Sequence, residues 1–120
     1  MRKTLRILGM DPSLNNWGLA FATLYLDDLT IEVDNLVTVH PDPSKLNKSE
    51  RKSTKDIERT TSLFNNLLPH LKNVDIVIAE TPIGGRDAKA AFGYSVCVTL
   101  IGVLNSIGLE NEVIEVSPYD

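Results

Sequence analysis

The chain has 120 residues, 42% of them hydrophobic and 23% charged, with a formal net charge of -4. That length bounds it to one compact domain with a modest core, and the acidic balance excludes binding to nucleic acid through overall positive charge, leaving local patches as the route. The single cysteine, Cys97, excludes an intrachain disulfide and a cysteine-based zinc site. Cys97 lies in an apolar run and reads as a buried, inert thiol, which fits a reducing, cytoplasmic setting. The basic start, Met1-Arg2-Lys3, precedes an apolar run too short for a signal peptide. The stretch 96–109 is interrupted by Asn105 and Ser106 and reads as too short to span a bilayer.

In chain order, residues 5–10 read as a first strand, with Arg6 its one internal charge, closing on Asp11. A turn containing Pro12, Ser13, Asn15 and Asn16 leads to a second strand over 18–26. Asp27 and Asp28 mark the next turn, and 30–39 reads as a third strand in which Ile31, Val33, Val37 and Val39 interleave with polar residues. Three strands on short connections predict an antiparallel meander. A loop over 40–48, with Pro41 and Pro43, precedes a helix over about 49–70. Its apolar face is Ile57, Thr61, Phe64, Leu68 and Leu71, and Pro69 marks its last turn. Residues 74–79, with Asp75 the only charge, read as a strand buried on both faces and closing on Glu80. A loop over 81–85, a helix over 87–107 stopped by Gly108, and a last strand over 112–116 complete the order βββ-α-β-α-β. Alternation of helix and strand after the meander predicts an α/β mixed sheet with parallel crossovers and helices packed on it.

Asp11 and Glu80 each close an apolar strand. A carboxylate at the end of a buried strand is costly to keep ionised unless a cation sits beside it. Taken singly, each acid also reads as a turn former or helix cap. Sites in α/β sheets form at the carboxyl ends of parallel strands, so parallel neighbouring strands would bring both acids to one edge. Two hard oxygen ligands suit Mg²⁺ or Mn²⁺. A pair of such ions about 4 Å apart binds both the attacking and the leaving oxygen of a phosphodiester.

The stretch Ile7-Leu8-Gly9-Met10-Asp11-Pro12-Ser13, with Gly18 and the apolar run behind it, resembles the first motif of RuvC-like Holliday junction resolvases, phage-type members in particular. Ile76-Val77-Ile78-Ala79-Glu80 resembles their second motif, and residues 112–118 resemble the strand before their C-terminal region. The resemblance implies a ribonuclease H-like fold and a structure-selective DNA endonuclease in which two divalent metals activate water, leaving a 5′-phosphate and a 3′-hydroxyl. Asp11 would bridge both ions and Glu80 would be the second ligand. A homodimer is implied through the helix 87–107, where Ala88, Ala90, Ala91, Gly93 and Ser95 permit close approach. The family often carries a junction-inserting aromatic three places after the glutamate; Ile83 stands there, an aliphatic wedge. Family members continue past the last strand into a basic residue and a helix with further acidic ligands, or an acid and a histidine. The sequence ends at Asp120, before them, so this form reads as short, with weak or absent cleavage and partly retained DNA binding.

Lys45, Lys48, Arg51, Lys52, Lys55 and Arg59 lie close together, and Arg86 and Lys89 follow the second motif. Lys45, Lys48, Arg51, Lys52, Lys55, Ile83, Arg86 and Lys89 form the expected DNA contact, salt-dependent and indifferent to sequence. Glu50, Asp56 and Glu58 intervene, so a solvated helix face accounts for the same run. His40 and His70 read as loop and helix-end residues, Trp17 as core, and Ser13 and Asn15 as shaping the turn beside Asp11. One alternative function is a non-catalytic ribonuclease H-like module that binds DNA or protein through the same surface. Another is a nucleotide-binding domain of the actin and sugar-kinase type, which wants a glycine-rich phosphate loop that Pro12-Ser13-Leu14-Asn15 lacks. The expected location is the cytoplasm of a bacterium or of a phage-infected host cell.

Overall fold

The computed structural model describes residues 3–81, 87–107 and 113–117. Its elements are β1 (Thr4–Asp11), β2 (Trp17–Tyr25), β3 (Thr30–Val39), α1 (Lys52–Leu67), a 3-10 turn (Leu68–Leu71), β4 (Ile76–Glu80), α2 (Ala88–Ile107) and β5 (Val113–Val116). They form one five-stranded sheet in the order β3-β2-β1-β4-β5. The β1–β2 and β2–β3 pairs are antiparallel; β1–β4 and β4–β5 are parallel. The meander and the parallel crossovers both follow from connection length: short turns reverse a chain, whereas a parallel neighbour needs a helix-length return.

Both helices pack on one face of the sheet. Leu8, Met10, Trp17, Leu19, Val39, Val77 and Ala79 from the strands meet Leu63 and Leu67 of α1, Leu71 of the 3-10 turn, and Cys97 and Leu104 of α2. Burial pushes the Cys97 thiol pKa up, in keeping with an inert core residue. The buried face of α1 agrees with the expected one in part: Leu71 is buried, and Phe64 and Leu68 are partly buried against the core. Ile57 is 66% exposed and Thr61 is exposed, while Leu63 and Leu67 are fully buried. Two stripes with helical spacing run side by side here, and contact with the sheet selects the leucines. The start of α1 also shifts from 49 to Lys52, because the Asn47 side chain accepts hydrogen bonds from the Ser49 amide and hydroxyl and makes a local turn. At the other end, Pro69 falls in the 3-10 turn, since a residue without an N–H cannot extend the α-helical ladder.

Two strand expectations are corrected. Ile31 and Val33 do not share a face with Val37 and Val39. Between Phe21 and Ala22 the register shifts, so that Phe21 pairs with Asn35 but Ala22 with Val33, and Asp34 is the extra residue. This bulge turns Ile31 and Val33 to the face away from the helices, where each is 61% exposed. Nor is β4 buried on both faces: Val77 and Ala79 are buried, whereas Ile76 and Ile78 are only half-buried. Among the described residues no layer covers the second sheet face. The radius of gyration is 16.0 Å, against about 13.5 Å for a compact domain of this length.

The helix α2 also departs from expectation. Ala88–Ser106 is long and apolar enough to cross a membrane by length and composition, and 11% of that window is buried. The window begins at Ala88, ahead of the 96–109 stretch, and Asn105 and Ser106 fall only at its end. Asp87 caps its start, accepting a hydrogen bond from the Ala90 amide at 2.8 Å. Because α2 returns the chain between two adjacent strands of one sheet, it is held along that sheet by Cys97 and Leu104.

The β1–β4 register has a specific lock. Asp75 accepts a hydrogen bond from the Arg6 amide at 2.7 Å through its carboxylate and donates its own amide to the Arg6 carbonyl at 2.8 Å. Arg6 precedes Asp11 by the same number of residues as Asp75 precedes Glu80. Asp75→Ala is therefore expected to cost about 1 kcal/mol in urea unfolding, with Asp75→Asn, which keeps an acceptor, losing less.

Candidate metal centre

In the parallel pair, Met10 lies beside Ala79, and the next residues along are Asp11 and Glu80. Adjacent strands are about 4.8 Å apart and side chains alternate between faces. Met10 and Ala79 therefore enter the core, while Asp11 and Glu80 emerge together on the open face. Both are exposed, which corrects the premise that burial makes Asp11 expensive. The electrostatic problem is adjacency: two like charges abreast on one sheet face repel. Among the described residues neither carboxylate forms a hydrogen bond or an ion pair.

Register extends this pair into a row across the sheet: Thr38, Gly18, Asp11, Glu80 and Val116. A trough of about 490 Å³ runs along the open face there, its floor made by Gly9, Gly18 and Ala20 and its sides by Thr38, Leu36, Ile78 and Val116. A Cβ at Gly18 would come within 3.4 Å of the Asp11 Cβ, so glycine keeps the ground beside the carboxylate clear. Thr38 does not stand out in the sequence because only the β2–β3 register brings it into line. Magnesium is commonly held by one or two carboxylates with waters and substrate phosphates completing the shell. The Asp11–Glu80 pair suits that role. No group of three or more His, Cys, Asp or Glu able to hold a metal occurs among the described residues. Glu115 is near in the sheet but accepts the Thr81 hydroxyl at 3.1 Å and pairs with Ala79, on the helix side.

Helices α1 and α2 each run back from the carboxylate end of the sheet, so the basic segment before and within α1 lies at that end, behind the trough. Several of its cations are engaged. Lys52 pairs with Asp56 at 2.8 Å and Arg59 with the same carboxylate at 3.3 Å. Both also lie over the Phe92 ring of α2, at 5.0 and 5.8 Å. Lys55 donates to the Lys48 carbonyl at 2.9 Å. These contacts tie α1 to its own start and to α2. Lys45, Lys48, Arg51 and Lys89 are exposed, with no ion pair among the described residues. Ile83 and Arg86 lie outside the described residues. Trp17 is fully buried in the core, and His70 packs its ring against Phe21, 6.1 Å between centroids.

No protein-family model and no curated protein sequence matches the chain. Solved structures do. The chain is similar to RuvC of Thermus thermophilus in complex with a Holliday junction substrate, with a TM-score of 0.66 at 17% identity, covering 95% of this chain and 64% of that one. The fowlpox virus resolvase in complex with its substrate Holliday junction DNA gives a TM-score of 0.57 at 17% identity, covering 97% of this chain and 62% of that one. A Ppx/GppA family member from Aquifex aeolicus gives 0.52 at 11% identity, covering 97% of this chain and 36% of that one. The chain has the ribonuclease H-like fold of its RuvC-type neighbours, as the two motifs implied, and spans just under two thirds of the RuvC chain.

Proposed function

We propose that this chain is the ribonuclease H-like domain of a divalent-metal-dependent endonuclease acting on branched DNA. The observation that carries the reading is the arrival of Asp11 and Glu80 side by side, unpaired among the described residues, at the carboxyl ends of two parallel strands. The two structural neighbours solved with Holliday junctions support the substrate class. Asp11, between the Gly18 floor and Glu80, would hold the metal centrally, with Glu80 as second ligand. Bound Mg²⁺ or Mn²⁺ supplies Lewis-acid activation of water and neutralises charge on a phosphodiester. The glycine floor admits the phosphate close to Asp11. Thr38 offers it a hydroxyl, and Lys45, Lys48, Arg51 and Lys89 offer sequence-independent phosphate contacts. Lys52 and Lys55 contribute mainly by holding α1 in place. The attacking water enters from the open face, and cleavage leaves a 5′-phosphate and a 3′-hydroxyl. A cytoplasmic location accords with this reading.

The partner protein is a second copy, associating through α2. Ala91, Tyr94, Val98 and Gly102 share one outer stripe of that helix; Tyr94 and Val98 are each 38% exposed, and a Cβ at Gly102 would meet nothing within 4 Å. Val98→Arg is expected to convert a dimer to monomer in sedimentation velocity while the circular dichroism spectrum holds.

The test of function is cleavage of four-way, flap and linear DNA with Mg²⁺ or Mn²⁺, comparing the chain with Asp11→Asn. Metal-dependent nicking of branched DNA that Asp11→Asn abolishes supports the nuclease reading. Tight junction binding without metal binding would replace it with the non-catalytic module.

A further inference from the structure

We propose that His40 is a positioning residue for the Asp11 end of the site, acting through the turn at residues 12–16. This deepens the metal-site reading and rests on it for the metal readout alone. The turn links Asp11 to Trp17 and carries Ser13 and Asn15, both exposed. Among the described residues, one hydrogen bond reaches the turn outside the strand ladder: the His40 ring nitrogen Nδ1 to the Asn15 carbonyl, 2.9 Å. A carbonyl only accepts, so Nδ1 carries the hydrogen and donates it.

His40 is itself held from behind. Asn66 of α1 donates to the His40 carbonyl at 2.8 Å and to the Asp42 carboxylate at 3.1 Å, while the Asp42 amide donates to the Ser62 hydroxyl at 2.7 Å. The preceding residue, Val39, is buried and pairs with Trp17. Three consecutive turns of α1 thus anchor the start of the loop: Glu58 takes the Ser44 hydroxyl, Ser62 the Asp42 amide, and Asn66 gives to His40. The leucines Leu63 and Leu67 fix that helix to the core. The turn is therefore braced at one point, from a rigid base. Misplacing a metal-holding or phosphate-facing group by an ångström costs on the order of 10- to 100-fold in rate.

The experiment uses the full chain with His40→Ala, His40→Gln, His40→Asn and Asn66→Ala. Asparagine carries its N–H two bonds from Cβ, as Nδ1 does; glutamine carries it one bond further. Mn²⁺ alone is titrated by calorimetry, four-way junction turnover is measured with Mn²⁺, and the Trp17 indole N–H resonance is followed without metal. Trp17 is the only tryptophan, so its signal is unambiguous. His40→Ala is expected to weaken Mn²⁺ binding and lower kcat by about tenfold or more, with KM within about twofold. Its indole signal should broaden or split. His40→Asn should restore all three and His40→Gln should not; Asn66→Ala should show a weaker form of the alanine effect. A His40→Ala protein matching the wild type in the indole signal and in Mn²⁺ affinity overturns the proposal, as does failure of asparagine to outperform alanine. Mn²⁺ binding indifferent to Asp11→Asn overturns the metal reading instead, and the indole signal then still decides the role of His40.

Discussion

Asp11→Asn is expected to reduce metal-dependent cleavage by about a thousandfold or more without weakening the fold. The rate estimate follows from losing about 4 kcal/mol of charge stabilisation at the scissile phosphate. The stability estimate follows from the open face. Asp11 is exposed and, among the described residues, unpaired, and its neighbour across the parallel pair is Glu80, so the amide removes a repulsion and strands no partner there. Thermal unfolding should hold or rise slightly, while Mn²⁺ affinity falls. Glu80→Gln should behave in the same sense, and the double variant should be little worse than either alone, because both act on one bound ion. A nick rate retained in both single variants would remove the carboxylate pair from the chemistry.

Trp17→Ala is expected to be the most destabilising substitution at a single core position, about 3–5 kcal/mol in urea unfolding. A domain of this length has roughly 6–18 kcal/mol in total, and an uncovered sheet face places this one toward the lower end. Trp17 is fully buried at the first position of β2, paired with Val39. Among the described residues its buried indole Nε1 has no hydrogen-bond partner. An unsatisfied buried donor costs about 1–3 kcal/mol, so Trp17→Phe should lose much less than Trp17→Ala, the removed donor offsetting part of the lost volume. Equal losses for Phe and Ala would show that the indole N–H is bonded in solution.

Much of the candidate site is legible in the sequence because each half is written locally. An apolar run ending on one acid, followed by turn residues, describes both Asp11 and Glu80 without knowledge of their neighbours. The open-face elements are less legible. Residues 30–39 hold their bounds as β3, yet the bulge at Asp34 reverses the side on which Ile31 and Val33 lie, and no alternation pattern reveals one extra residue in a ladder. Spacing alone misses the centre of the buried face of α1: Phe64 and Leu68 pack against the core as expected, but Ile57 and Thr61 satisfy the helical repeat as well as the fully buried Leu63 and Leu67 do and are exposed. The basic run is visible as charge, but whether a lysine meets a phosphate or an aspartate depends on packing. Phe92 and Asp56 already occupy Lys52 and Arg59.

By itself, the sequence determined the order of elements, the antiparallel-then-parallel sheet and the placing of two candidate acids at strand ends, since strand periodicity, turn residues and connection length are local properties. The tertiary structure alone decided that Asp11 and Glu80 stand abreast, through the Arg6–Asp75 register lock, and that they face an open surface. It alone added Thr38 to their row, set Gly18 directly beside Asp11, and joined the turn after Asp11 to His40 by a hydrogen bond. Each of these depends on which residues lie opposite across strands distant in sequence, and a one-residue change of register would send a side chain to the other face.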